Sequence, residues 1–220
     1  MVNPLLGASS VTLMTAIAAK RYGFIASLFT ALLATTSPWI LLLSAEYLNH
    51  GSTLFFFSLA LFGITTWSTS RNGRSAAVVA LGCFGLLITR PYTGLALSLP
   101  FLVFLLFERA RRAHLTIISA GIGLGFAVLL AHNYILSGSP FTSAYDLYFG
   151  PGHNPGFGDR GGSRGYHDIW HGFSHLFSNL RSISTWLYMW PVPSLALFVL
   201  AIMKSRLERL EALFLGCALA

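Results

Sequence analysis

The alternation of apolar and polar residues divides the chain into long hydrophobic runs separated by short polar connections. Apolar runs occupy about 4–19, 24–45, 53–69, 75–89, 92–107, 115–136, 183–203 and 211 onward. A membrane-spanning helix needs about 20 apolar residues, a length that 24–45, 115–136 and 183–203 reach comfortably. The runs at 75–89 and 92–107 are short, and fit either two thin spans or one re-entrant hairpin. The pattern predicts an all-α, polytopic integral membrane protein with about 7–8 transmembrane helices. Six of these lie in 1–136, and a seventh and the start of an eighth lie in 183–220.

One polar stretch interrupts this pattern, from residue 137 to 182. It holds nine of the 21 glycines, four of the seven histidines and three of the seven carboxylates. Within it, Tyr166, Ile169, Trp170, Phe173, Leu176, Phe177 and Leu180 form one stripe at helical spacing. That spacing predicts an amphipathic helix over about 166–181, lying on the membrane surface. Trp186, Tyr188 and Trp190, and likewise Trp39 and Tyr47, read as interfacial anchors, and Pro191 and Pro193 as a kink at the start of the seventh helix.

Composition agrees with this reading. The chain is 55% hydrophobic and only 10% charged, against roughly 25% charged in soluble domains. Cys83 and Cys217 sit inside apolar runs without metal-type spacing. The net charge of +7 is not a nucleic-acid signature, because it is gathered on alternate connections. Lys20, Arg21, Arg71, Arg74, Arg109, Arg111, Arg112, Lys204, Arg206 and Arg209 fall on one side, with Glu108, Glu208 and Glu211. The other side balances Arg90, Arg160, Arg164 and Arg181 against Glu46, Asp146, Asp159 and Asp168. By the positive-inside rule the first group is cytoplasmic, which places 137–182 outside the cytoplasm. The first helix then runs from outside to inside. A further helix is expected upstream, and we read the chain as part of a longer protein.

Arg90, at the junction of two apolar runs in Leu-Ile-Thr-Arg-Pro-Tyr-Thr-Gly, is the first candidate for chemistry. A charge there marks a site by default, and a guanidinium can grip a lipid phosphate with two parallel bonds; the alternative is an arginine reaching to headgroups. Glu46 and His50 stand four apart, which on one helix would place both on the same face, as an acid–base pair, as half of a metal site, or as a simply solvated helix end. Asp159, Arg160 and Arg164 lie in a glycine-rich loop that reads either as a lid ordering over an anionic substrate or as a solvated linker. Its Gly156-Phe-Gly-Asp-Arg-Gly161 spells GxGxxG but lacks the strand–helix context of a dinucleotide site. His167, Asp168, His171 and His175 fall on the polar face of the amphipathic stripe. The three histidines are candidates for a divalent metal such as zinc, or simply for the solvated face of an interfacial helix. His132 and Asn133 read as a satisfied helix-end pair.

Several strings in order carry a family likeness. They are Asn-Pro-Leu-Leu-Gly-Ala, Ala-Lys-Arg-Tyr-Gly, Thr-Ser-Pro-Trp, Asn-His-Gly, Leu-Ile-Thr-Arg-Pro-Tyr-Thr-Gly-Leu-Ala-Leu, Asn-Tyr-Ile-Leu-Ser-Gly-Ser-Pro-Phe and Leu-Tyr-Met-Trp-Pro. Their succession resembles bacterial membrane glycosyltransferases of the GT-C superfamily, related to protein O-mannosyltransferases and aminoarabinose transferases. The resemblance implies transfer of a sugar from a polyprenyl-phosphate donor to an acceptor on the outer face of the bacterial inner membrane. It also implies a catalytic acid in a first external loop upstream of this sequence, so no residue here takes that role and the segment alone is expected to be inactive. Arg90 then suits the phosphate, with Arg160 or Arg164 next, and Glu46 and His50 suit the acceptor cavity. A polytopic transporter or lipid-carrier flippase, and an O-antigen polymerase or ligase, are the competing readings.

Overall fold

The computed structural model describes residues 2–46, 49–143, 147–148, 150, 158–159, 166–189 and 193–204. Among them the chain is a helical bundle, with one two-residue ribbon pairing Gly158–Asp159 antiparallel to Tyr166–His167. The helices are α1 (Val2–Tyr22), α2 (Phe24–Thr36), α3 (Pro38–Ala45), α4 (His50–Ser70), α5 (Gly73–Thr89), α6 (Pro91–Phe107) and α7 (Arg112–Ser137). Two more follow the loop, α8 (Ile169–Trp186) and α9 (Ser194–Lys204).

Three helices (α1, α4 and α7) are long and apolar enough to cross a membrane, and α2 with α3 makes a fourth if the bent pair is one span. The expected seven to eight spans are thus met in part. At 17 residues each, α5 and α6 are about 26 Å long at 1.5 Å per residue, slightly under the roughly 30 Å hydrocarbon core.

Two of the expected continuous spans are broken. The 24–45 run bends by 56° between α2 and α3. Pro38 lacks an N–H and disfavours helical backbone at Ser37, which is extended at φ −69°, ψ 114° and caps α3 by accepting from the Ile40 N–H. The 183–203 run is divided too. The amphipathic helix continues past residue 182 to Trp186, and α9 starts only at Ser194, just after Pro193. The breaks touch, because the buried Ser37 hydroxyl donates to the Leu187 carbonyl at 2.5 Å. The expected eighth helix, from 211, lies outside the described residues, as do the anchors Tyr47 and Trp190.

The centre of the bundle is α5, which packs against α4, α6 and α7. Ala60, Ile64, Trp67, Val79, Cys83, Phe101, Leu105 and Ile118 form the buried core. Helices in lipid gain little from hydrophobic burial, so close approach through small residues has to supply the packing. A Cβ on Gly82 would stand 2.7 Å from the Ala60 nitrogen, and one on Gly121 2.7 Å from the Ala80 carbonyl. The tightest fit against main chain is at Gly94, where it would meet the Leu86 carbonyl at 2.5 Å. That glycine allows α6 to fold back on α5 through the single non-helical residue Arg90.

Candidate functional site

Arg90 ends α5 and precedes α6, at φ −145° and ψ 89°. Pro91 imposes this extended link at the first position of α6. The backbone is anchored on both sides, as the Arg90 N–H donates to Leu86 O (2.9 Å) and the Arg90 carbonyl accepts from Gly94 N (2.6 Å). The side chain lies over the start of α4. Its Nε donates to Asn49 Oδ1 at 3.0 Å, and its Nη2 lies 3.4 Å from His50 Nε2. A guanidinium only donates, so the His50 contact requires Nε2 as acceptor with the ring proton on Nδ1. Asn49 completes the cluster by donating from Nδ2 to Thr89 O at 2.8 Å.

The amide of Asn49 thus bonds both the main chain and the side chain of the α5–α6 link. All three residues of the cluster are half-buried. Two of the five guanidinium N–H donors are directed at Asn49 and His50, and the other three have no hydrogen-bond partner among the described residues. The cluster is a fixed, half-buried cationic arrangement at one end of the bundle.

Glu46 and His50 were expected on one helical face, and they are not. Glu46 is extended (φ −74°, ψ 154°) and ends α3, while His50 opens α4. They lie at the ends of two different helices. Asn3 of α1 donates to the Glu46 carbonyl at 2.5 Å and so ties the end of α3 to α1.

The three-histidine arrangement is corrected as well. His167 belongs to the ribbon, and α8 begins at Ile169 with Asp168 as its N-cap. The Asp168 carboxylate accepts from the His171 N–H and lies 2.8 Å from His171 Nδ1. His171 and His175 are exposed on α8. Among the described residues no three of His, Cys, Asp and Glu converge on a metal position. The Asp168 carboxyl is held below the usual carboxylate range, first by the backbone bond from His171 and then by the bond from its ring.

Asp159 lies in the ribbon, and Arg160 and Arg164 lie outside the described residues. Asn133 is buried and donates to the Pro140 carbonyl at 3.1 Å, a helix-end closure as expected, whereas His132 is exposed.

Sequence reasoning missed Asn49, the residue that orients Arg90. Its only signal was its place before His50. It also missed Trp67 and His114 at the opposite end, where the indole N–H donates to His114 Nδ1 at 3.1 Å with both residues buried. A further unforeseen feature is a cavity of about 330 Å³ at the two helix breaks, lined by Pro38, Trp39, Leu42, Ser182, Trp186 and Met189.

No family model matches the chain, and neither the curated proteins nor the solved structures give a match. The likeness to GT-C enzymes rests on the sequence strings.

Proposed function

We propose that the chain belongs to a membrane glycosyltransferase that moves a sugar from a polyprenyl-phosphate donor to an acceptor on the outer face of a bacterial inner membrane. In this reading α1, α2 with α3, α4, α5, α6, α7 and α9 account for seven passages, the run from 211 begins an eighth, and α8 lies on the membrane surface. The arginine-rich turns face the cytoplasm, and the Arg90 cluster faces outward. The observation that carries the proposal is the cluster itself. A half-buried arginine, oriented by Asn49, keeps free N–H donors at the mouth of a helical hairpin.

The chemistry is displacement at the anomeric carbon. The acceptor oxygen forms the new glycosidic bond while the bond to the lipid phosphate breaks, and a carboxylate takes the acceptor proton. Negative charge grows on the departing phosphate, where a cation such as Arg90 lowers the barrier. Glu46 and His50, beside it, suit the acceptor side. The test is an Arg90→Ala variant of the full-length protein, recovered from the complete reading frame and assayed with a polyprenyl-phosphate sugar. Loss of turnover in a folded variant upholds the reading, and full activity sinks it.

One observation favours a second reading, a transporter or lipid-carrier flippase. Discontinuous helices that meet within a bundle are the hallmark of transport sites, and here the α2–α3 break is bonded to the end of α8. Movement of a lipid-linked sugar across a proteoliposome membrane without glycosyl transfer is the result that would select it.

A further inference from the structure

The end of the bundle opposite Arg90 carries a charged surface that the proposed reaction does not use. Arg71, after α4, reaches to the turn between α6 and α7. There it donates to the Glu108 carboxylate at 2.5 Å and to the Glu108 carbonyl at 3.2 Å. Its guanidinium also lies 4.4 Å over the Trp67 ring, a cation–π contact. These bonds bring the α4–α5 turn (residues 71–72) beside the α6–α7 turn (residues 108–111). They also neutralise Glu108, which is the one acidic residue in either turn.

Four more arginines lie in these turns or in the first residues after them. Arg74 follows Arg71 by three positions, and Arg109, Arg111 and Arg112 follow Glu108. All four are exposed, and none pairs with an acid among the described residues. The backbone here is pinned. Arg109 sits in the left-handed region at φ 49°, with its N–H bonded to Leu106 O (3.0 Å) and the Ala110 N–H bonded to Leu105 O (2.9 Å). Leu106 and Phe107, immediately before the turn, are exposed apolar residues at the end of α6. A local charge of about +4 therefore adjoins an apolar shelf at the end of a bundle of apolar helices.

We infer that these two turns form a binding site for the headgroup of an anionic phospholipid. Arg74, Arg109, Arg111 and Arg112 face the phosphate, and Leu106 and Phe107 contact the first part of the acyl chain. A topology signal requires only that positive charge lie near helix ends. It does not require a cross-link that removes the sole acid and fixes the two turns together. The apolar shelf favours a lipid over a soluble phosphate. The inference rests on membrane insertion and is independent of the glycosyltransferase reading.

The test is native mass spectrometry of the purified protein, given equal amounts of phosphatidylglycerol and phosphatidylcholine. The wild-type protein is expected to retain phosphatidylglycerol selectively, and increasing salt to weaken retention. R109Q/R111Q is expected to lower retention by about fivefold per arginine, with K20Q, at the end of α1, close to wild type. R74Q, at the start of α5, repeats the measurement if the double variant is poorly folded. Equal retention of the two lipids by the wild-type protein overturns the inference, and so does undiminished retention in the folded variants. Displacement of the lipid by millimolar pyrophosphate also overturns it, because the site would then be one for soluble phosphates.

Discussion

Arg90 Nε donates to Asn49 Oδ1 at 3.0 Å, a bond between residues 41 positions apart that ties the start of α4 to the hinge between α5 and α6. The Asn49 amide returns a bond to Thr89 O, so its orientation is set by both partners. Asn49→Ala leaves Arg90 Nε and the Thr89 carbonyl without their partner in a half-buried site. We expect it to cost about 1–3 kcal/mol of stability, read as a lower unfolding midpoint in detergent. Arg90→Lys keeps the charge but loses the planar fork. In the full-length protein it is expected to recover less than a tenth of wild-type turnover with a polyprenyl-phosphate sugar donor, at roughly 1.4 kcal/mol per factor of ten.

Gly94 and Gly123 offer a contrast within one bundle. A Cβ at Gly94 meets Leu86 main chain at 2.5 Å, whereas one at Gly123 meets nothing within 4 Å. Gly94→Ala should force α6 away from α5 and destabilise by roughly 1–3 kcal/mol. Gly123→Ala should leave stability unchanged or raise it slightly. Equal midpoints for the two variants would argue against the close α5–α6 packing.

Trp67 and His114 are buried partners on α4 and α7. Trp67→Phe strands a buried ring nitrogen and is expected to cost about 1–3 kcal/mol, in addition to the smaller ring. His114→Leu strands the indole N–H instead. In a double-mutant cycle the two costs should fall short of additivity, with a coupling of about 0.5–3 kcal/mol. Additive effects would mean that the bond contributes nothing.

The Asp168 cap has a defined pH dependence. Its carboxyl is depressed in the fold, chiefly by the His171 backbone N–H. The ionised cap is therefore fully effective above the ordinary carboxylate pKa and is lost as pH falls through the lower, folded value. The protection of the His171 amide, measured against its intrinsic exchange rate at each pH, is expected to fall in acid over that window. Asp168→Asn, which keeps an acceptor oxygen, should remove the pH dependence while retaining most of the protection. Asp168→Ala should remove the protection at every pH.

The existence of α1, α4, α5, α6 and α7 was legible because long apolar runs have few alternatives in a membrane, where every backbone group must be bonded internally. Their ends were legible from the polar and basic residues at Lys20–Arg21, Arg71–Arg74 and Arg109–Arg112. Arg90 stood out for the same reason, as a charge between two apolar runs. The amphipathic stripe also predicted α8, though not its start, because nothing periodic distinguishes His167 from His171. The capping bond of Asp168 makes that distinction.

Hydropathy cannot report where an apolar run breaks, because Ser37 and Pro38 barely lower its mean. The 56° bend and the bond from Ser37 to Leu187 are decided by proline sterics and by a carbonyl 150 positions away. The role of Asn49 is likewise invisible in sequence, since an asparagine before a helix reads as a simple cap. Only the return of the chain at Arg90 gives its amide two further partners. Composition and periodicity are sums over neighbours in the chain, and they determined the membrane class and the positions of most helices. Which polar groups meet depends on how helices fold back on one another, and the tertiary structure alone decided that.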